Sequence, residues 1–387
     1  VDKKAMIIAL AEDWTGISRL PAALKRAGFS VAALCPRRSF LAKTKFIDRL
    51  WTYPTFTYSR SKFLYLLIVF ALWRIKPDVI IPGDENALVA LQNIARILKK
   101  FGVRGLANSI RSSIPVEEFD QVVQSKSLFN SKCQEWGVRV PRNERVKTLE
   151  EALKISPEFG YPLVVKYDFG FGSSGVTVCK NEEELKTAYT KFNGNQWKTR
   201  AKRYVLNMLF IMQAEDVNGV SLQRFVQGPV GLAPFCSVSG EMYAVNPMIK
   251  LRTHPGPTGP SSVCQGVVSD EIKEAARKTA AHLKLTGFGS LDFVINESDG
   301  LVYVIELNPR PVPTSHLDKN LTGVDLCEEL FKGLNGEKPT IAAEFKQFTL
   351  ALFPNEMRRD SQSEFLTFAF HDIPADDPDL FEALKKT

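Results

Sequence analysis

Leu291-Asp292-Phe293, and beyond a Glu297-Ser298-Asp299-Gly300 turn Val304-Ile305-Glu306-Leu307-Asn308-Pro309-Arg310, form the stretch on which the fold turns. Two runs, Leu291 to Asn296 and Val302 to Leu307, flank the turn and predict a β-hairpin. A strand period of two puts Glu306 and Asn308 on one face and lets Asp292 of the partner strand meet them. Two carboxylates and an amide oxygen form an oxygen-only donor set suited to Mg2+, with Mn2+ as its substitute. Such a cation would bridge the phosphates of a nucleotide. Arg310 follows at the same alternation and can hold a transferring phosphoryl group. The plainer alternative is a solvated polar face paired with Arg310. Against it, these polar residues alternate with apolar ones.

Upstream, Tyr161 to Tyr167 and Val176 to Cys179 read as strands around Gly170-Phe171-Gly172-Ser173-Ser174-Gly175. The spelling is that of a dinucleotide fingerprint, but that motif needs a helix after its glycines. Asp168-Phe169-Gly170 suggests a protein kinase, yet it runs straight into the glycine loop and the chain has no HRD. Strand, glycine loop and strand instead suit a flap whose backbone N–H groups, with the Ser173 and Ser174 hydroxyls, close over phosphates. A plain hairpin turn is the alternative. Lys166 ends the apolar strand before the loop, where a lysine is costly unless it meets an anion.

Further out, Ala5 to Leu10, Val31 to Leu34 and Asp78 to Pro82 read as buried strands. Helices are expected over Ser18 to Ala27, stopped at Gly28, and over Leu88 to Lys100. The alternation predicts a doubly wound α/β domain with ligands beyond the carboxyl ends of its strands. Glu12, Asp13 and Asp84 to Asn86 stand there. A second region is expected to hold helices over Ser125 to Trp136, Glu182 to Phe192 and Glu271 to Leu285. Its antiparallel strands are expected over Leu222 to Val226, Phe235 to Val238, Tyr243 to Val245 and Met248 to Leu251, with a polar loop over Asn193 to Arg203.

The 387-residue chain has ordinary globular composition and room for two or three domains. Its six cysteines form no CxxC pair and read as reduced thiols of a cytoplasmic protein. Residues 1–110 hold 18 Lys/Arg against 7 Asp/Glu. Such a basic front half suits an anionic partner or is simply a solvated surface. Within it, Phe63 to Trp73 is wholly apolar and flanked by Arg60, Lys62, Arg74 and Lys76. It falls short of the roughly 20 residues a bilayer span needs. It fits a buried helix on a sheet or a helix lying at a membrane surface.

Taken together, these motifs in this order resemble the ATP-grasp superfamily, from about Lys3 to Gly333. The resemblance implies an α/β fold: a doubly wound pre-ATP-grasp domain (1–110), then an ATP-grasp domain of two α+β subdomains. These subdomains are the small one with the flap (111–220) and the large one with the metal site (221–338), followed by a C-terminal tail (339–387). Lys126 and Lys166 match the phosphate-holding lysines, and Gly172, Ser173, Ser174 and Gly175 match the flap. Ser221 to Gly228 looks like the interdomain hinge, whose backbone at Phe225 and Val226 would hold adenine beside Gln223. Asp292, Glu306 and Asn308 match the metal ligands, and Arg310 the arginine near the reacting phosphate. Arg252 matches a substrate- or phosphate-facing arginine, and Glu85 an acidic residue facing substrate. Relatives often place an acidic ribose ligand just after the hinge glycine, where this chain has Pro229 and Val230; Glu215 and Asp216 are the other candidates. His254, in the His254-Pro255-Gly256-Pro257-Thr258-Gly259 loop, is a candidate substrate-binding acid or base or a solvated loop residue. His282, on a helix, reads as structural. The tail resembles one found on some bacterial relatives and reads as a packing arm.

The implied activity is a carboxylate-amine ligase: ATP phosphorylates a small acid, and an amine or amino acid then displaces phosphate. The small-molecule acid and amine are its partners, nucleic acid is not, and dimers are common among relatives. Two alternatives stand beside it. One is the superfamily branch that joins glycine to a cyclohexenone enol in mycosporine synthesis, which Ala11-Glu12-Asp13-Trp14, the basic first domain and the tail resemble. The other is a non-catalytic nucleotide-binding protein at a membrane surface.

Overall fold

The computed structural model describes residues 3–54, 62–167, 175–192, 219–256, 259–339 and 347–386. Its first sheet is parallel, with strands β1 (Lys4–Ile8), β2 (Ser30–Pro36), β3 (Arg49–Tyr53) and β4 (Val79–Pro82) in the order β3-β2-β1-β4. Strand alternation divides its side chains between two cores. Ala5 and Ile7 enter one beside helix Leu20–Arg26 and the later helix Leu326–Leu334. Met6 and Ile8 enter the other beside helices Lys62–Ile75 and Glu85–Lys100. Helices on both faces make this the expected doubly wound domain. β3 goes beyond the expected strands: Arg49 and Leu50 are exposed on the edge strand, so it lacks the apolar run of its neighbours.

Helix Lys62–Ile75 does not choose between its two expected settings. Leu64, Ile68, Ala71, Leu72 and Ile75 are buried against the sheet, while Phe63, Leu66, Phe70 and Trp73 face outward. Among the described residues, no helix is long and apolar enough to cross a membrane.

A small antiparallel sheet follows, made of β5 (Asn143–Val146), β6 (Leu163–Tyr167), β7 (Val176–Cys179) and β8 (Val220–Arg224) in the order β5-β8-β6-β7. Helices Leu149–Phe159 and 182–192 share one core with it. The larger sheet contains β9 (Val230–Val238), β10 (Glu241–Val245), β11 (Met248–Thr253), β12 (Ser261–Gly266), β13 (Gly287–Ile295), β14 (Val302–Asn308), β15 (Thr349–Ala351) and β16 (Phe370–His371). They run β14-β13-β9-β11-β12-β15-β16, with β10 on β9. Helices Lys126–Glu135 and Asp270–Leu283 pack on it through Phe129, Cys133, Ile272 and Ala276 against Phe235, Leu291 and Phe293. Ser125 and Ser269 cap these helices by accepting from the Leu128 and Ile272 N–H groups.

The tail is a packing arm that ties the sheets together. β15 adds to β12, and β16 runs parallel to β15. Phe353 stacks on Phe381, and Leu380 and Leu384 share their cluster with Phe40 of the first domain. Arg19 of the first domain donates to the backbone and carboxylate of buried Asp372, which also meets His316 Nε2 at 3.1 Å. Burial acts to raise the Asp372 pKa, but attraction to Arg19 and His316 outweighs it and holds the carboxyl below its usual range. The carboxylate therefore stabilises the fold above its unfolded pKa, and that contribution is lost as pH falls through the lower folded value. Arg19→Ala is expected to cost about 3–5 kcal/mol at neutral pH, since it strips a buried carboxylate of its main partner. Urea unfolding midpoints will measure it, and a change within about 0.5 kcal/mol would show that the tail is not held this way.

Candidate active site

The site grows from the β13–β14 hairpin. Register places Asp292 directly opposite Glu306, and Ser290 opposite Asn308. Asn308 Nδ2 approaches Asp292 Oδ1 at 3.4 Å, so the three oxygen-bearing side chains stand together. Among the described residues, no three His, Cys, Asp or Glu cluster as a metal site. Two carboxylates and one amide make a partial set, which a phosphate-bearing ligand would have to complete.

Three lysines converge on this hairpin from three elements. Lys126 opens helix Lys126–Glu135, and its Nζ lies 3.3 Å from Glu306 Oε1. Lys166, on β6, donates to the Ile305 carbonyl at 3.2 Å. Lys250, on β11, pairs with Asp292 Oδ2 at 3.1 Å. Burial pushes the Lys166 ammonium down to about 8, and neighbouring Lys126 pushes the same way against the pull of Glu306 and Asp292. For Lys250, burial also acts to lower the pKa, but Asp292 outweighs it and raises the value. Three ammonium groups against two carboxylates leave an excess of buried positive charge. That excess suits an anion, and polyphosphate fits it.

Lys250 was not among the residues singled out from sequence. Its signal was a lysine two positions from buried Met248 on a strand, where alternation turns it inward. Arg252, two residues further, does not join the cluster. The register of β11 shifts between Lys250 and Arg252, and the Arg252 guanidinium lies over the Phe365 ring of the tail at 5.3 Å.

Arg310 lies just past β14, largely buried. It donates to Glu85 at the start of helix Glu85–Lys100 and, at 3.4 Å, to Asn308 Oδ1. Its guanidinium sits over the Trp14 ring at 5.0 Å, an aromatic contact supplied by the loop after β1. Asp84 holds the two strand ends together: its carboxylate accepts from the Leu10, Ala11 and Ala87 N–H groups. Burial pushes the Asp84 pKa up against these hydrogen bonds. The first domain thus walls a cleft lined by Glu85, Ser125, Lys126, Glu306 and Asn308.

Gln223 is buried on β8 between Asn143 and Val164, and its Nε2 has no hydrogen-bond partner among the described residues. Phe225 and Val226 follow β8 in the segment that leads from the small sheet to β9 of the large one. Gly228 in that segment has φ +148°, and a Cβ there would collide with the Ile295 carbonyl, so the close crossing needs glycine. Gly172, Ser173 and Ser174 lie outside the described residues, as do Glu215 and Asp216; Gly175 is described immediately before β7. His254 is half-buried in the loop after β11, its N–H donating to the Pro260 carbonyl at 3.0 Å. His282 stacks on Trp136 at 4.9 Å, a structural role.

Residues 125–211 and 257–340 match the family described as carbamoyl-phosphate synthase L chain, ATP binding domain. The carbamoyl phosphate synthase large chain of Thermotoga neapolitana is 26% identical over 325 residues, covering 82% of this chain. The chain spans only 27% of that relative's length. Among solved structures, a biotin carboxylase domain dimer of Hydrogenobacter thermophilus 2-oxoglutarate carboxylase, complexed with MgADP, ADP and bicarbonate, superposes with TM-score 0.64. It is 19% identical, with 89% of this chain and 73% of that one covered. An L-amino acid ligase from Bacillus licheniformis superposes with TM-score 0.62 at 18% identity, covering 90% and 79%. These likenesses establish the fold: a parallel α/β sheet followed by antiparallel sheets of the kind those structures share.

Proposed function

We propose that this chain belongs to the ATP-grasp superfamily and is a ligase that uses ATP with Mg2+ to phosphorylate a small acid and couples the product to an amine or amino acid. The observation that carries the proposal is the facing Asp292–Glu306 pair beneath Lys126, Lys166 and Lys250. Magnesium, when bound by Asp292, Glu306 and Asn308, would neutralise phosphate charge at the transferring group. Lys126 and Lys166 hold the phosphates, and Phe225, Val226 and Gln223 take the adenine, where the orphaned Gln223 Nε2 is a ready donor. Arg310, steadied by Glu85 and Trp14, orients the acceptor oxygen against the terminal phosphate.

The chemistry needs this arrangement because a carboxylate is a poor electrophile with a poor leaving group. Transfer of the γ-phosphoryl group to the acid's oxygen gives an acyl phosphate and ADP. The amine attacks the acyl carbon, phosphate leaves with the bonding pair, and the amine's proton passes to solvent. Excluding water during these steps preserves the activated acid. A carboxylate-amine ligase accords with the likeness to an L-amino acid ligase across nearly the whole chain, a fold that a biotin carboxylase domain shares to the same extent.

Purified protein should release ADP from ATP and Mg2+ only when both an acid and an amine from a mixed panel are present. ATP consumption at the same rate without any acid would contradict the proposal. A pH dependence follows as well. Lys166 must be charged to hold phosphate, and in the free protein it loses its proton near pH 8. ATP affinity should therefore be flat below that pH and fall above it, by up to about tenfold per pH unit. Calorimetry between pH 7 and 10 would reveal it, and a flat profile would remove Lys166 from the phosphate site.

A further inference from the structure

We propose that the outer face of helix Lys62–Ile75 docks on an anionic lipid surface, a role separate from the ligase chemistry. Phe63, Leu66, Phe70 and Trp73 are 66%, 67%, 51% and 62% exposed. Their spacing of three, four and three residues puts them on one stripe of the helix. The opposite face is already committed: Leu64, Ile68, Ala71 and Leu72 are buried in the first domain's core. The stripe therefore lies outside that core and leaves half or more of each side chain in water. Scattered exposed apolar residues are ordinary, whereas a contiguous row of four, two of them aromatic neighbours at 6.3 Å, marks a contact surface.

Charge selects the occupant. The helix contains no Asp or Glu, and Arg74 and Lys76 are exposed at its C-terminal end. Residues 1–110 as a whole carry 18 basic against 7 acidic residues. A second copy would bring a surface of the same sign against this one, which opposes association. An anionic bilayer complements it, with cations at the headgroups and Phe, Leu and Trp side chains at the acyl boundary. The helix has 14 residues. At about 1.5 Å per residue it is about 21 Å long, shorter than the ~30 Å hydrocarbon core, so it lies in the interface.

The test is co-sedimentation of the whole chain with vesicles of phosphatidylcholine alone or with about one-third phosphatidylserine. Wild type should partition onto the mixed vesicles at least about tenfold more than onto the neutral ones. Phe70→Ser/Trp73→Ser should bind the mixed vesicles at least about tenfold less while keeping the wild-type urea midpoint. Arg74→Ala/Lys76→Ala should keep the residual neutral-lipid binding and lose part of the phosphatidylserine preference. The proposal falls if wild type stays in the supernatant with both vesicle types, or if the serine variant binds like wild type. It also falls if lipid-free wild type is a dimer that the serine variant splits, for then the stripe is a self-interface. None of these readouts uses nucleotide turnover, so they stand or fall apart from the ligase proposal.

Discussion

Glu306→Gln will lower acid- and amine-dependent ADP release by about 10²–10³-fold, the usual scale for removing one preorganised electrostatic contact to a reacting group. Gln keeps the volume and one oxygen but removes the negative charge that faces Asp292 across the hairpin. The loss should appear in turnover and in the Mg2+-dependent part of ATP binding together. A stability change is expected as well. Lys126, mostly buried and 3.3 Å from Glu306, would keep Lys166 as a neighbour and lose its counter-charge. The free variant should therefore be less stable by about 1–2 kcal/mol, discounted for the partial exposure of Glu306. Normal turnover with an unchanged requirement for Mg2+ would show that Glu306 is a structural partner of Lys126 and nothing more.

Lys166→Met should move stability and ligand binding in opposite directions. The ammonium is buried, and both burial and Lys126 disfavour its charge. A methionine of similar length removes that penalty, so the free protein should gain about 1–3 kcal/mol at neutral pH. The same change deletes a phosphate contact and should weaken ATP binding about 100-fold. The same shift sets the sign of the pH effect: with a folded pKa of about 8 and an unfolded value near 10.5, the wild type should gain stability from this group as pH rises between them. The variant should lack that increment. Urea midpoints at neutral and alkaline pH, with calorimetry for ATP, separate the two effects. A variant that is less stable yet binds ATP normally would make Lys166 a structural lysine.

The parts of this site readable from sequence are those where strand alternation alone decides direction. Asp292, Glu306 and Asn308 alternate with apolar neighbours, so their meeting required only that the hairpin form. The first sheet was legible at β1, β2 and β4, whose short apolar runs suit a sheet covered on both faces. β3 and β5 were not, because they are edge strands whose Arg49 and Leu50, and Glu144 and Arg145, are exposed, so neither carries a continuous apolar run. Lys250 was legible by alternation from Met248, whereas the separation of Arg252 from it was not, because it rests on a register shift that depends on the neighbouring strand. The stacking of Arg310 on Trp14 and its pairing with Glu85 join residues of distant elements, which no local pattern encodes. Helix Lys62–Ile75 was ambiguous for a physical reason: it is apolar on every side, so periodicity could not separate its packed face from its free one.

Calorimetric titration of the whole chain with a non-hydrolysable ATP analogue, with and without Mg2+ at pH 7, tests the central claim most directly. Uptake at one site per chain, tightened at least about tenfold by Mg2+ in the wild type but not in Asp292→Asn/Glu306→Gln, is the predicted result. Absence of uptake by wild type, or uptake equally tight without the cation, would contradict it.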